Sequence, residues 1–246
     1  MIKVIVPVSG GKDSQACLKL ATEKFPKEEI LGLFCDTQFE HPMTYQHIAD
    51  MEQRYGVRIV RVSGGSVEEQ VLKWGRFPGG GARHCTDYLK IQITKKFLKE
   101  FTDFQGTLEV WYGMRWGESS ERAKRYERVI DDFLYEPHEV QKKYPKYLGK
   151  KGIRFRLPIV EWTDADVFSF LEGVENPLYS AGFDRVGCFP CLAGGDKAKE
   201  KAFAFDAFGA EQKKKVILLE KAIGKSVWTS KGGKQRNSDG CSFCTY

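Results

Sequence analysis

Three groups of residues in this chain have the types and the spacing to do chemistry. The first is Ser9-Gly10-Gly11-Lys12-Asp13-Ser14. It follows the apolar run Val4-Ile5-Val6 and precedes Ala16, Cys17, Leu20 and Ala21, which recur at helical spacing. A strand, a glycine turn and a helix N-terminus make an anion site. Free backbone N–H groups point outward there, and the helix dipole adds partial positive charge. Gly10 and Gly11 let the backbone approach a ligand closely. Lys12 adds a point charge, and Ser9 and Ser14 add hydroxyl donors. The spacing is not that of the mononucleotide P-loop, which needs four residues between its first glycine and Gly-Lys. The plain alternative is a tight turn that binds nothing.

The second group is cysteine. Cys188-x2-Cys191 and Cys241-x2-Cys244 are two matching knuckles, each preceded by glycine. Such turns place two thiolates at one metal, so the pair supplies four. Zinc and iron–sulfur both accept this set, and spacing does not choose between them. Unliganded or redox pairs are the alternative. Cys17 falls on the apolar face of the first helix and reads as core; Cys35, at a strand end, reads equally as core or site.

The third group is charge at strand and helix ends. Asp36 and Thr37 follow the second apolar run, where an Asp accepts from a ribose, holds magnesium, or merely caps a turn. Arg83, Cys85 and Lys90 cluster at the start of a helix, which suits an anion, a ligand thiolate at Cys85, or a solvated basic turn. Arg115 and Arg122 follow the fourth apolar run, after Gly113. Arginine makes forked contacts with phosphate, though a surface ion-pair cluster has the same composition. Lys142, Lys143, Lys146, Lys150 and Lys151, interleaved with Tyr144 and Tyr147, suit a polyanion or a solvated basic loop.

These residues need a scaffold. Strands are expected at about 30–34, 57–62, 108–112 and 153–160, besides the one at the N-terminus. Helices are expected at about 42–55, 87–101, 164–171, 196–208 and 210–223, with a further short one from Ser66 to Trp74. Strand and helix alternate, which argues for an α/β fold with a doubly wound parallel sheet. Residues 125–151 read as an insertion or lid. The expected division is a nucleotide-binding domain over 1–162 and a small helical, cysteine-bearing module over 163–246.

Composition agrees. The chain has 246 residues, 41% hydrophobic and 13% aromatic, enough for a large core. Its net charge of +6 is compatible with a polyanionic partner without demanding one. No run of about 18 apolar residues is present, so no membrane span is expected. No signal peptide is evident, so a cytoplasmic location and reduced or metal-bound cysteines are expected.

Taken together, the motifs resemble a known family. They are SGGKDS at Ser9–Ser14, DTQFEHPMTY at Asp36–Tyr45, CTDYLKI at Cys85–Ile91 and GMRWGESSERA at Gly113–Ala123. LPIVEWTDADVFSFL at Leu157–Leu171 and NPLYSAGFDRVGCFPC at Asn176–Cys191 follow. The chain resembles the phosphoadenosine phosphosulfate (PAPS) reductase-like branch of the PP-loop ATP pyrophosphatases. The resemblance implies a PP-loop fold. An adenine nucleotide would lie between Ser9–Ser14, the Asp36–Thr37 edge with Lys90, and the Gly113, Arg115 and Arg122 region. Lys12, Asp13 and Arg115 would act in catalysis, with ATP and magnesium bound. A [4Fe–4S] cluster, or zinc in its place, would sit on Cys188, Cys191, Cys241 and Cys244. Cys85 is the reserve ligand, for the case that the fold puts it beside Cys188 and Cys191.

The chain also departs from the family. Sulfonucleotide reductases carry a C-terminal Glu-Cys-Gly, whereas this sequence ends CSFCTY. Cluster-bearing reductases have paired cysteines where this chain has Cys85-Thr86. It leans toward the sulfur-transfer ATPases of DNA phosphorothioation, although its cysteine spacing departs from theirs. The first expectation is an ATP-dependent adenylyl-transferring enzyme for sulfur transfer, with nucleic acid and a sulfur-donor protein as candidate partners. The second is a sulfonucleotide reductase, and the third a nucleotide-binding regulatory protein with a structural metal.

Overall fold

β1 (Val4–Val8) is buried along its whole length and forms the centre of the sheet. In the computed structural model, which describes residues 1–79 and 83–228, it pairs in parallel with β2 (Ile30–Asp36) on one side and β4 (Leu108–Trp111) on the other. β3 (Ile59–Ser63) extends the β2 side and β5 (Ile153–Arg156) the β4 side, also in parallel. The order is β3-β2-β1-β4-β5. Val4 stands opposite Ile30 and Glu109. The chain leaves β1 in one direction for β2 and β3, then returns to the other side for β4 and β5. Ligands in open parallel sheets bind at the carboxyl ends of the strands, where the order reverses. Here that point lies between β1 and β4, and the Ser9–Ser14 loop leaves β1 there.

Side chains of a strand alternate between faces, and each face of this sheet has its own core. Val4, Val6, Val8, Ile30 and Phe34 pack with Ala16, Cys17 and Leu18 of α1 (Lys12–Lys24) and Ile48 and Met51 of α2 (Pro42–Tyr55). Ile5, Leu31, Leu33, Val110 and Phe155 pack on the other face with Ile91 and Leu98. The sheet is therefore doubly wound, as expected.

α3 (Val67–Trp74) opens with a capping box, in which Ser66 and Glu69 each bond the other's backbone N–H. One helical run then holds α4 (His84–Thr86), a π turn over Asp87–Ile91, and α5 (Gln92–Glu100). The region expected to be a lid contains only short helices, α6 (Ser120–Tyr126), α7 (Pro137–Val140) and α8 (Tyr147–Lys150). Tyr135 pairs with Phe155 and shields the β5 edge. β5 stops at Arg156, short of Val160, because Pro158 has no N–H for the ladder.

Residues beyond 162 contribute helices. α9 (Asp164–Leu171) sends Val167 and Leu171 into the α1 core, and α10 (Pro177–Ser180) follows. The two helices expected after 196 are present, with their boundary at Asp206. α11 (Asp196–Phe205) ends at Asp206, whose side chain accepts from Gly209 N–H and starts α12 (Ala207–Ile223). No helix among the described residues is long and apolar enough to cross a membrane.

Candidate functional site

The Ser9–Ser14 loop is a tight structure whose glycines are sterically required. Gly10 has φ +74°, and a Cβ there would fall 2.5 Å from Thr44 Cγ2. Gly113, leaving β4, passes so close that a Cβ would come 2.7 Å from the Asp13 carbonyl. Ser9 N–H donates to Ser14 Oγ, which in turn donates to Gly11 O. Both side chains thus brace the loop.

A strap formed by residues 162–191 crosses the loop. Asn176 Nδ2 donates to Gly10 O (3.1 Å), and Lys12 N–H donates to Tyr179 Oη (3.0 Å). A Cβ on Gly11 would lie 3.3 Å from both Tyr179 Oη and Val186 O. Arg115, 2% exposed, bonds Asp13 Oδ1 (2.6 Å), Asp164 Oδ1 (2.5 Å) and Trp162 O (3.0 Å). Lys12 Nζ lies 3.0 Å from Asp164 Oδ1 and 3.6 Å from Asp13 Oδ2. Burial opposes the charge on Arg115, but Asp13 and Asp164 outweigh it and raise its pKa. Asp164 feels the reverse: burial would raise its pKa, and Lys12 and Arg115 bring it below the ordinary value. Lys12, Asp13 and Arg115 therefore converge, as a cluster already neutralised from within by Asp164.

Asp36 lies at the end of β2 but is fully engaged. Oδ1 accepts from Gln38 N–H and Tyr45 Oη, while Oδ2 accepts from Arg61 Nε (3.0 Å) and Nη2 (2.6 Å). Burial works against its charge, yet the Arg61, Gln38 and Tyr45 bonds keep its pKa low. Tyr45 Oη also reaches the buried Glu40 Oε2 (3.1 Å), and Glu40 Oε1 accepts from Thr37 Oγ1 (2.6 Å). The Thr37 oxygen lies 3.2 Å from Cys188 Sγ. Since the hydroxyl proton goes to Glu40, the Cys188 thiol is the donor to Thr37.

That thiol opens onto a second feature. Cys85, Cys188, Cys191, Lys90, Thr37 and Thr86 line one cavity of about 20 Å³, room for a single water-sized group. Burial pushes the Cys188 thiol up to about 12 and raises Cys85 as well. Burial disfavours the charge on Lys90, but Cys188, Glu40 and Cys85 outweigh it and raise its pKa. Lys90 is thus surrounded by thiols and not by the Ser9–Ser14 loop. The π turn explains how Cys85 and Lys90 share this wall. Residues five apart fall on one face when the helix closes i to i+5, but not when it closes i to i+4.

Soft thiolates suit zinc or an iron–sulfur cluster, and three cysteines line this cavity. Among the described residues, however, no three His, Cys, Asp or Glu side chains stand close enough to hold a metal ion. Cys241 and Cys244 lie outside the described residues. Cys17 is core, and Cys35 is buried against Thr94 with its thiol raised to about 11 by burial. Arg122 is buried and pairs with Glu118, four residues back; burial pushes it down to about 9. This pair is internal, not the surface cluster its composition allowed.

Sequence reasoning missed Asp164, Asn176, Tyr179, Glu40, Tyr45 and Arg61 as members of these sites. Only Asp164 carried a local signal, as an acid in the first turn of a capped helix. The others act across more than a hundred residues or through shared hydrogen bonds.

The family model described as the phosphoadenosine phosphosulfate reductase domain matches residues 3–193. The chain belongs to this family. The match spans the loop, Arg115, the strap and the three cavity cysteines. Within curated relatives, the chain is 32% identical over 193 residues to an uncharacterised protein of Methanocaldococcus jannaschii, covering 77% of this chain and 36% of that one. It is 26% identical over 175 residues to the adenosine 5'-phosphosulfate reductase of Salinibacter ruber, covering 67% and 58%. The chain thus spans less than two thirds of either relative. Among solved structures, the FMN adenylyltransferase of Candida glabrata superposes with a TM-score of 0.50 at 17% identity, covering 76% of this chain and 53% of that one. That likeness shows the shared PP-loop fold.

Proposed function

We propose that the protein is an ATP pyrophosphatase-type enzyme that adenylates an acceptor for sulfur transfer. The observation that carries this reading is one segment with two ends. The strap touches the glycine loop at the sheet's switch point through Asn176 and Tyr179, and twelve residues later it supplies the cavity thiols Cys188 and Cys191. A phosphate site and a sulfur site therefore share one wall.

In this reading ATP lies with its phosphates on the Ser9–Ser14 loop. Lys12 and Arg115 leave Asp164 and turn to the phosphate oxygens. An acceptor oxygen attacks the α-phosphate, the α–β bond breaks, and pyrophosphate carries away the electron pair. Backbone N–H groups, Lys12 and Arg115 stabilise the charge that develops. Gly113 keeps β4 close enough for Arg115 to reach, and Asp13 orients Arg115. Asp36 and Thr37 shape the nucleotide edge, and Arg122 supports the loop after β4 through Glu118. Magnesium would be held by the nucleotide's phosphates, since Asp13 stays paired with Arg115. Cys85, Cys188 and Cys191, drawn closer together than they stand in this structure and joined by one of Cys241 and Cys244, would hold a [4Fe–4S] cluster or zinc. Such a centre supplies a soft position for a sulfur anion when bound. A cytoplasmic location and a sulfur-donor protein complete the reading.

A second reading, favoured by the family match itself, is reduction of a phosphosulfate with Cys241 or Cys244 as nucleophile. Two assays separate the readings. The first predicts AMP and pyrophosphate from ATP once acceptor is present; ADP as the main product would reject it. The second predicts sulfite from a phosphosulfate. Metal and sulfide analysis of anaerobically purified protein should find about four irons per chain for the cluster. Zinc would replace the cluster while keeping the thiolate site, and absence of both metals would remove it.

A further inference from the structure

Trp74 and Tyr88 stand exposed beside each other, at 40% and 36% of their surface, with ring centroids 5.5 Å apart. They flank Cys85. Trp74 stacks on the buried ring of His84, the residue before Cys85 (6.0 Å, 28°), and Tyr88 lies three residues after it. The stack on His84 fixes the inner face of Trp74. Lys73 Nζ sits 5.4 Å from the centre of the Tyr88 ring.

A basic ridge leads away from this pair. Lys96 and Lys99 are exposed on α5, and Lys95 Nζ reaches the Lys143 carbonyl (3.3 Å). Lys143 Nζ pairs with Asp87 (2.8 Å), which holds the Lys142–Lys146 segment alongside the helix. Lys142, Lys143 and Lys146 are exposed. Across 84–100 and 141–151 the acids are Asp87 and Glu100, against a run of lysines. Tyr144, which the sequence offered as a stacking residue in this segment, is buried in the core and takes no part.

We propose that this face binds single-stranded nucleic acid, its phosphates on the lysine ridge and an unpaired base on Trp74 and Tyr88, next to the thiol cavity. The proposal names the acceptor class for the function above and rests on that reading for the role of the cavity. Lysines alone would take any polyanion. The exposed ring pair favours a strand of unstacked bases, each of which offers a π face to an aromatic side chain. A duplex hides its base faces, and polyglutamate has no rings to offer.

The test is anisotropy of labelled oligo(U) and oligo(dT) of about 15 nucleotides, within the usual site sizes, without ATP and over a salt series. A duplex and polyglutamate serve as competitors. Single strands should bind more tightly than either competitor. Tyr88→Ala and Trp74→Ala should each weaken them about tenfold, as loss of one stacked base does. Lys96→Glu with Lys99→Glu should weaken binding and flatten the salt dependence, its slope falling by roughly 0.7 for each phosphate left without its lysine. If Trp74→Ala fails to fold, photocrosslinking of an iodouridine oligonucleotide to Trp74 or Tyr88 in the unaltered protein replaces it. Crosslinks elsewhere, unchanged binding in Tyr88→Ala, or preference for duplex would overturn the proposal. Tighter binding of polyglutamate would also overturn it and assign the face to an acidic protein. Single-strand binding without AMP formation from ATP would uphold this proposal and remove the adenylation reading; AMP formation without single-strand binding would do the reverse.

Discussion

At the scale of single residues, the glycine loop gives the sharpest expectation. Gly11 has an ordinary φ, so valine there meets no backbone penalty, but its methyl groups enter the space beside Tyr179 Oη and Val186 O. Gly11→Val should keep its fold and lose ATP binding. Calorimetry checks this, and undiminished affinity in a folded variant would refute the phosphate role of the loop. His47 is a second case. Gln15 uses its amide N–H groups on Tyr55 and Val174 O, so its oxygen must accept from His47 Nε2–H (2.9 Å). Burial lowers its pKa to about 4, which keeps the ring neutral near pH 7 with its proton on Nε2. A lowered folded-state pKa means that the unfolded chain binds the extra proton. The stabilisation is complete above about pH 6.5 and is lost progressively as pH falls to about 4, with a ceiling of about 3 kcal/mol. Urea unfolding at several pH values should show this slope in the parent protein and a shallower one in His47→Gln. Equal slopes would remove His47 from the account.

The element that matters most is the strap. In this structure Asp164 occupies the two cations that the reaction needs, and Tyr179 takes a loop N–H. Phosphate must compete with both. Asp164→Asn keeps the shape of α9, whose cap is Thr163. The Asp164 side chain is 68% exposed, and exposed pairs carry only about 0.2–1 kcal/mol. ATP should therefore bind up to about fivefold more tightly to Asp164→Asn. Weaker binding would show instead that Asp164 assists the nucleotide. The strap also shows what a sequence can hide. Its hydrophobic spacing and cap reveal α9, because those signals are local, whereas Asn176–Tyr179 reads as a turn and forms the single helical turn α10. That α10 delivers a hydroxyl to a backbone N–H 167 residues away has no local signature.

At the scale of the whole molecule, the sheet was legible because its strands are short runs rich in apolar residues between turn residues. The switch point followed from the order of strand and helix. The thiol site was legible in its residue types and only partly in its membership. Cys85 approaches Cys188 and Cys191 through the packing of α3, α11 and α12 around Phe39 and Leu192, which no spacing encodes. Val227, whose carbonyl accepts from the buried Lys199 (2.7 Å), belongs to the same cluster, so the chain leaves the described fold from this neighbourhood. Cys188→Ser should lower metal content and bring the metal-free and metal-loaded melting temperatures together. Full metal content in both Cys188→Ser and Cys85→Ser would place the metal elsewhere.

The π turn at Asp87–Ile91 is in effect one residue too many for an α-helix. It behaves as an insertion that the helix absorbs by bulging, and insertions can be reversed. Deleting Leu89 would let the run close as regular α-helix and set Lys90 four positions from Cys85, still on its face. The charge can instead be removed without touching the register: Lys90→Met takes it off the thiol wall while Cys85 stays on it. Thiol-reagent titration should then find Cys85 less reactive at neutral pH, since a nearby cation favours thiolate; undiminished reactivity would show that Lys90 does not tune it. A single codon thus separates a thiol wall with a built-in counter-charge from one without.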